Sequence, residues 1–229
     1  MKSKRFKKLP EKTNLNKSDA INNLLPVIKK NCTAKFDESI DLSIIINNKQ
    51  KKNEINIRTA VNLPSGSGKK IKVAVVAEEI KHKDAKGAGA DIIGADDLIE
   101  KIKNGEINFE KLICTTAMMI KLSKLGKILG PKGLMPNPKL GSVTNDIKKA
   151  VTEAKSGQAE IRNDKDGNIG VSIGKKSFND DQLIKNYNTI IESLDKEKAN
   201  NTLKGDLIKS VFITSTMGVS YKLKMVKNI

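Results

Sequence analysis

Tryptophan is absent from the 229 residues, and Phe and Tyr together make up only 3% of them. That poverty excludes a single-strand binder that stacks successive bases on a row of aromatic rings. Histidine occurs once, at His82, and cysteine twice, at Cys32 and Cys114, with no CxxC pair. Neither a metal cluster nor a disulfide framework can be built from so few ligands, so no metal or other cofactor is expected, and both thiols are read as packed side chains of a reducing compartment. No apolar run approaches the ~18 residues that a membrane-spanning helix needs, and the N-terminus has no apolar segment of the secretory kind. The expectation is a cytoplasmic protein that does not span a membrane. Arginine is scarce as well: only Arg5, Arg58 and Arg162 among 43 basic residues. With Asn and Ile abundant, that bias reflects A+T-rich coding rather than mechanism.

What the chain does have is positive charge. Its formal net charge is +17 and its sequence pI about 9.7, so the partner is expected to be acidic: nucleic acid or an anionic membrane. With few rings to stack, affinity for nucleic acid would come from phosphate contacts and shape. The length allows one large domain or two of ordinary size.

Hydrophobic periodicity changes character twice. Residues 1–17 carry seven Lys or Arg against Glu11 alone and read as a basic arm. Ser18 and Asp19 offer cap chemistry to a helix bearing Ile21, Leu24, Leu25 and Ile28, which Pro26 should bend or shorten. Ile40, Leu42, Ile44 and Ile46 then alternate as in a strand, and Ile57, Thr59, Val61 and Leu63 do so again, giving two strands of an antiparallel sheet. After Pro64-Ser65-Gly66-Ser67-Gly68 the pattern becomes that of a parallel sheet. Continuous apolar runs at Ile71–Val76, Asp91–Ile93 and Leu112–Cys114 are separated by helical stretches near 79–85 and 96–103. A helix over about Asn145–Lys155 closes that part at Ser156-Gly157. Beyond it the first pattern returns, with strands flanking the Asp164–Gly167 hairpin turn, a helix through Leu183, Ile190 and Leu194, and strands near 209–214 and 219–225.

The fold class expected is therefore mixed α/β and α+β in two domains. Residues 1–66 plus 159–229 form a split α+β sandwich domain, and 67–158 an inserted Rossmann-like three-layer α/β domain. Ser65, Gly66, Gly68, Ser156 and Gly157 make the joining segments a hinge. Residues 67–159 carry a net +6, leaving +11 for the split domain and its arm, which marks the latter as the main RNA binder.

Enzymatic readings fail in detail. Gly66-Ser67-Gly68-Lys69 resembles a phosphate-binding loop, but Leu63 stands where the first glycine belongs and Lys70 where the magnesium-binding hydroxyl belongs. Gly87-Ala88-Gly89 lacks the third glycine of a dinucleotide fingerprint. Asp96, Asp97 and Glu100 sit at the start of a helix, where acids meet the macrodipole. His82, among Lys81, Lys83 and Asp84, is expected on a solvated face. No catalytic residue is assigned.

Residues 121–145 have five lysines, four glycines, three prolines and no acid, the composition of a rigid irregular loop that faces an anionic surface. Within them, Leu129-Gly130-Pro131-Lys132-Gly133-Leu134-Met135-Pro136-Asn137-Pro138 resembles the signature of the large-subunit ribosomal protein 1 family. Lys35-Phe36-Asp37-Glu38, Asn163-Asp164-Lys165 with Gly167, Gly174-Lys175 with Ser177-Phe178, and Thr214-Ser215-Thr216-Met217-Gly218 extend that resemblance over nearly the whole chain. The sequence departs from the usual bacterial pattern at Ser39, Thr116-Ala117, Gly170 and Pro26.

The resemblance implies a non-enzymatic constituent of the large ribosomal subunit, of bacterial type, that binds large-subunit rRNA at the mobile stalk. It further implies assistance in releasing deacylated E-site tRNA, repression of the protein's own operon through its mRNA, and a monomer when free. By position it implies RNA contact by Lys35, Phe36, Ser39, Thr214, Thr216, Met217 and Gly218, with Lys165 and Lys175 as lesser phosphate contacts. Lys127, Gly130, Lys132, Gly133, Met135, Pro136 and Pro138 form the signature loop of the inserted domain. A general nucleic-acid binder, for which charge alone suffices, is the main rival, and a nucleotide-dependent enzyme on the inserted domain is the second.

Overall fold

The computed structural model describes residues 18–47, 57–200 and 206–224, so the basic segment 1–17 lies outside it. Two compact units emerge, Met1–Gly68 with Ala159–Ile229, and Lys69–Gln158. The first is a layer of helices on an antiparallel sheet; the second is a parallel sheet between helices.

In the split unit the first helix, α1 (Ile21–Asn31), starts from Ala20 rather than from Ser18 or Asp19. The Asp19 carboxylate accepts the Ala20 N–H at 2.8 Å and the Asn23 side-chain amide at 3.0 Å. Pro26 does not shorten it: the helix runs five residues further. Pro26 lies on its exposed side, so the carbonyl deprived of a helical N–H faces water, while Leu24, Leu25 and Ile28 are buried.

Four strands, β1 (Ser39–Ile46), β7 (Asn168–Lys175), β8 (Ile208–Ser215) and β9 (Tyr221–Leu223), form one antiparallel sheet in the order β7-β1-β8-β9. Alternation in β1 sends Ile40, Leu42, Ile44 and Ile46 inward, none more than 1% exposed. Each such side chain stabilises the fold by about 1.5–3 kcal/mol over exposure. The α7 helix (Asp180–Asn200) contributes Leu183, Ile190 and Leu194 to the same core as α1. Ser39, Asp41 and Ser43 point the other way.

The second expected strand, β2 (Arg58–Asn62), does not join β1; it pairs with β6 (Gln158–Arg162) in a separate two-stranded sheet, with Arg58 Nε 2.9 Å from Glu160 Oε1. Both edges of β1 are already taken by β7 and β8, which leaves β2 no place beside it. The Asp164–Gly167 turn joins strands of different sheets, β6 and β7, with an isolated bridge between Asn163 and Ile169.

In the other unit β3 (Val73–Val76), β4 (Ile92–Gly94) and β5 (Lys111–Cys114) run parallel in the order β4-β3-β5. Every β3 side chain is buried, as a strand covered on both faces requires. A 3₁₀ turn (Glu79–Lys81) leads into α2 (His82–Gly87), which packs with α6 (Ile147–Lys155) on one face through Ala85, Ile147, Val151 and Ala154. The other face is covered by α3 (Asp96–Lys103), α4 (Thr116–Ser123) and α5 (Gly126–Leu129) through Leu98, Ile102, Met118, Leu122, Leu125 and Leu129. The first part of the lysine-rich stretch is thus helical rather than irregular, because Leu122, Leu125 and Leu129 recur at helical spacing and are buried. His82 is half-buried, its Nε2 lying 3.0 Å from the Ala77 carbonyl oxygen, rather than on a solvated face.

Candidate nucleic-acid interface

Strand register gathers most of the expected contact residues at one end of the four-stranded sheet. Ser39 opens β1 opposite Lys175, the last residue of β7, and Ile40 lies opposite Ser215, the last residue of β8. The turn after β8 carries Thr216, Met217 and Gly218, and the turn before β1 carries Lys35 and Phe36. Phe36 is 52% exposed and Met217 47% exposed, so both are surface side chains rather than members of the core.

The hydroxyl of Thr216 is already used within the protein. It accepts the Ser39 N–H at 2.9 Å and lies 3.3 Å from the Ser39 carbonyl oxygen, to which it can donate, while the Thr216 N–H donates to the same carbonyl at 3.0 Å. Thr216 fastens the start of β1 to the end of β8, and the half-exposed Ser39 side chain is the one presented outward. Thr214 Oγ1 lies 3.1 Å from the Ser215 carbonyl, and Lys175 Nζ donates to the Asp37 carbonyl at 3.3 Å. Gly218 is tightly confined: a Cβ there would lie 2.3 Å from Ser215 Oγ, so that side chain or the turn would have to shift.

Lys165 is not part of this cluster. It sits on the turn at the opposite end of β7, where Asn168 pairs with Ile45, roughly 24 Å along an eight-residue strand. The outward face of the sheet joins the two ends. One shallow depression is lined by Asp41, Ser43, Gly170, Ser172 and Thr214, and a second by Ser43, Arg162, Asn163, Lys165 and Gly170. Small polar side chains and a glycine keep that face low enough for a sugar-phosphate backbone to approach. Ser43 and Ser172 escaped the sequence reading, although the alternation of β1 already put Ser39, Asp41 and Ser43 on one face.

Anchors behind the face escaped it too. Asn186 is fully buried: its Oδ1 accepts the Ser65 N–H at 3.0 Å, and its Nδ2 donates to the carbonyls of Gly66 at 3.0 Å and Ile173 at 2.7 Å. Ser65 and Gly66 are thereby tied to α7 and β7. Gly68 has φ +71°, and a Cβ there would meet Lys175 Cγ at 2.7 Å. At the other joining segment, Ser156 follows α6 and Gly157 has φ +102°.

In the inserted unit Lys127, Gly130, Lys132, Gly133 and Pro138 are exposed, Met135 is half-buried and Pro136 buried. Gly130 closes α5 under a tight constraint, since a Cβ would lie 2.6 Å from the Gly126 carbonyl oxygen. The lysines of this segment thus stand on a leucine-anchored base.

Electrostatics at these sites come mainly from backbone donors. The Asn168 N–H holds the Asp164 carboxyl below the usual carboxylate range, and the Val73 N–H, with Lys155, does the same for Asp91. Burial pushes the Cys114 thiol up to about 11 and raises that of Cys32. Both cysteines are free and buried. Among the described residues no His, Cys, Asp and Glu group could hold a metal ion, and no helix is long and apolar enough to cross a membrane.

Residues 28–219 match the model of the ribosomal protein L1p/L10e family. The chain is 73% identical, over its full length and that of the relative, to the large ribosomal subunit protein uL1 of Pelagibacter ubique.

Proposed function

The chain belongs to the ribosomal protein L1p/L10e family, and from that membership we propose a specific way in which it grips RNA. It is a non-enzymatic constituent of the large ribosomal subunit, works with the ribosome in the cytoplasm, and binds rRNA. The grip is assigned to the split unit, at the end of the β7-β1-β8-β9 sheet. Lys35, Phe36, Ser39, Met217 and Gly218 face the RNA there, Thr216 and Lys175 hold the strand ends together, and the backbone continues over Thr214, Ser43 and Gly170 toward Lys165. The observation that carries this reading is the meeting, by register, of turns from distant parts of the chain that leave Phe36 and Met217 exposed beside small polar groups.

The RNA element is the stalk of the large subunit. The inserted unit, with its exposed Lys127 and Lys132, turns toward deacylated E-site tRNA and assists its release, moving on the segments around Gly68 and Gly157. The same RNA face takes a matching fold in the protein's own mRNA and represses its translation. The free protein is a monomer.

Titration of the purified protein against the stalk segment of rRNA, with an unrelated RNA of equal length as competitor and over a salt series, tests this. Preference for the stalk that persists at high salt is expected. Equal binding to both RNAs, lost together with salt, would leave a general polyanion binder. The mRNA role calls for the same titration with the operon leader, and the tRNA role for E-site release rates on ribosomes that carry or lack the protein.

A further inference from the structure

Glu38 is fully buried at the start of β1, in a protein whose other acids mostly face water. Burying a carboxylate is costly unless its oxygens are satisfied. One oxygen, Oε1, accepts the Ala34 N–H at 3.0 Å, and the other, Oε2, accepts the Met217 N–H at 3.1 Å. Its main-chain carbonyl accepts the Lys176 N–H at 2.8 Å, and Lys176 Nζ donates to the Cys32 carbonyl at 2.9 Å. One residue thus ties together the turn before β1, the turn after β8 and the end of β7.

Those turns carry Phe36 and Met217. An exposed apolar side chain on an unrestrained turn would fold back onto the nearest apolar surface, and RNA would then have to pull it out. Only a carboxylate offers two acceptor oxygens to two N–H donors on separate segments; a glutamine has one acceptor and would turn its own N–H group toward the other donor.

We propose that Glu38 is the positioning residue of the RNA face: its carboxylate holds the Phe36 turn and the Met217 turn in their RNA-bearing geometry before RNA arrives. The affinity it provides is that of preorganisation, an ordering cost removed in advance. It touches no RNA. The proposal rests on the assignment of Phe36 and Met217 to the RNA interface.

The test compares the full-length protein with its Glu38→Gln, Met217→Ala and double variants, titrated against the stalk rRNA segment over a salt series, with a thermal melt of each. Met217→Ala weakens binding if the interface is assigned correctly. Glu38→Gln is expected to weaken it about tenfold or more with the slope of log K against log salt unchanged, since no lysine leaves a phosphate. Added to Met217→Ala it should cost less than it does alone, because only the Phe36 turn is left for it to position. A residue that served stability alone would lower the melt and leave binding by the folded protein untouched, and that result, or full additivity, overturns the proposal while the interface stands. Undiminished binding by Met217→Ala would remove the interface and the proposal with it. Amide exchange of the RNA-free wild-type protein supplies an independent arm should Glu38→Gln fail to fold. The Ala34 and Met217 amides should be protected like those of β1, and exchange at the rate of an open loop overturns the proposal.

Discussion

Replacing Gly218 by alanine puts the packing behind the proposed RNA face to a sharp test. The new Cβ would lie 2.3 Å from Ser215 Oγ, in a place where real Cβ contacts essentially never fall below 3.0 Å. Ser215 is 3% exposed and ends β8, so its side chain has little room to retreat. Either Oγ or the 216–218 turn must move by at least about 0.7 Å, and overpacking of that kind costs about 1–3 kcal/mol. Moving the turn also displaces Met217, so binding to the stalk rRNA should weaken together with stability. The second-site variant isolates the cause. In Ser215→Ala/Gly218→Ala the offending oxygen is gone and the nearest remaining side-chain atom is the Cβ at 3.5 Å, an ordinary contact. Ser215→Ala alone should cost about 0.5–1.5 kcal/mol for the side-chain hydrogen bond that Ser215 makes with Cys32. Urea unfolding and RNA titration of the three variants should therefore show strong non-additivity, the double variant recovering most of what Gly218→Ala loses. If the double variant instead loses the sum of the single effects, the steric argument is wrong.

Other contacts give further expected outcomes. Asn186→Ala strands the Ser65 N–H and the carbonyls of Gly66 and Ile173 and should destabilise the split unit by about 2–4 kcal/mol in urea unfolding. Gly68→Ala combines a left-handed φ with a 2.7 Å approach to Lys175 and should cost about 1–3 kcal/mol, read from the same unfolding curves. The folded-state pKa of Asp91 lies below its unfolded value, so its contribution is present above the ordinary carboxylate range and is lost as pH falls through the lowered value. Asp91→Asn should accordingly flatten the acid limb of the stability profile. Cys114, its thiol raised to about 11 by burial, should react with alkylating reagents at neutral pH only as fast as the protein opens.

The elements are legible wherever one period dominates. The β1 alternation, the continuous apolar β3 run and the Ile147, Val151 and Ala154 stripe of α6 each declare their partner layer through spacing. Pairing is less legible. Nothing local to Ile57–Leu63 says that β1 is already occupied on both edges by strands more than a hundred residues later. The 121–129 stretch reads as an irregular loop because its three lysines and Gly126 outweigh three leucines at helical spacing. At the proposed RNA face, Phe36 and Met217 are marked by the motif resemblance alone. The internal engagement of the Thr216 hydroxyl and the burial of Glu38 and Asn186 are invisible in the sequence, because each depends on a partner brought near by register rather than by chain neighbourhood.

The place of β1 inside its sheet also governs when the protein can act. The β3, β4 and β5 strands find all their ladder partners within about forty residues, so that sheet can close while the ribosome is still translating the C-terminal half of the chain. Strand β1 is made early but waits for β7 and then β8, so strands made after the inserted unit complete the proposed RNA face. With the RNA contact placed as proposed, an unfinished or prematurely terminated chain lacks the completed face, and only product that has made β7 and β8 can compete for rRNA.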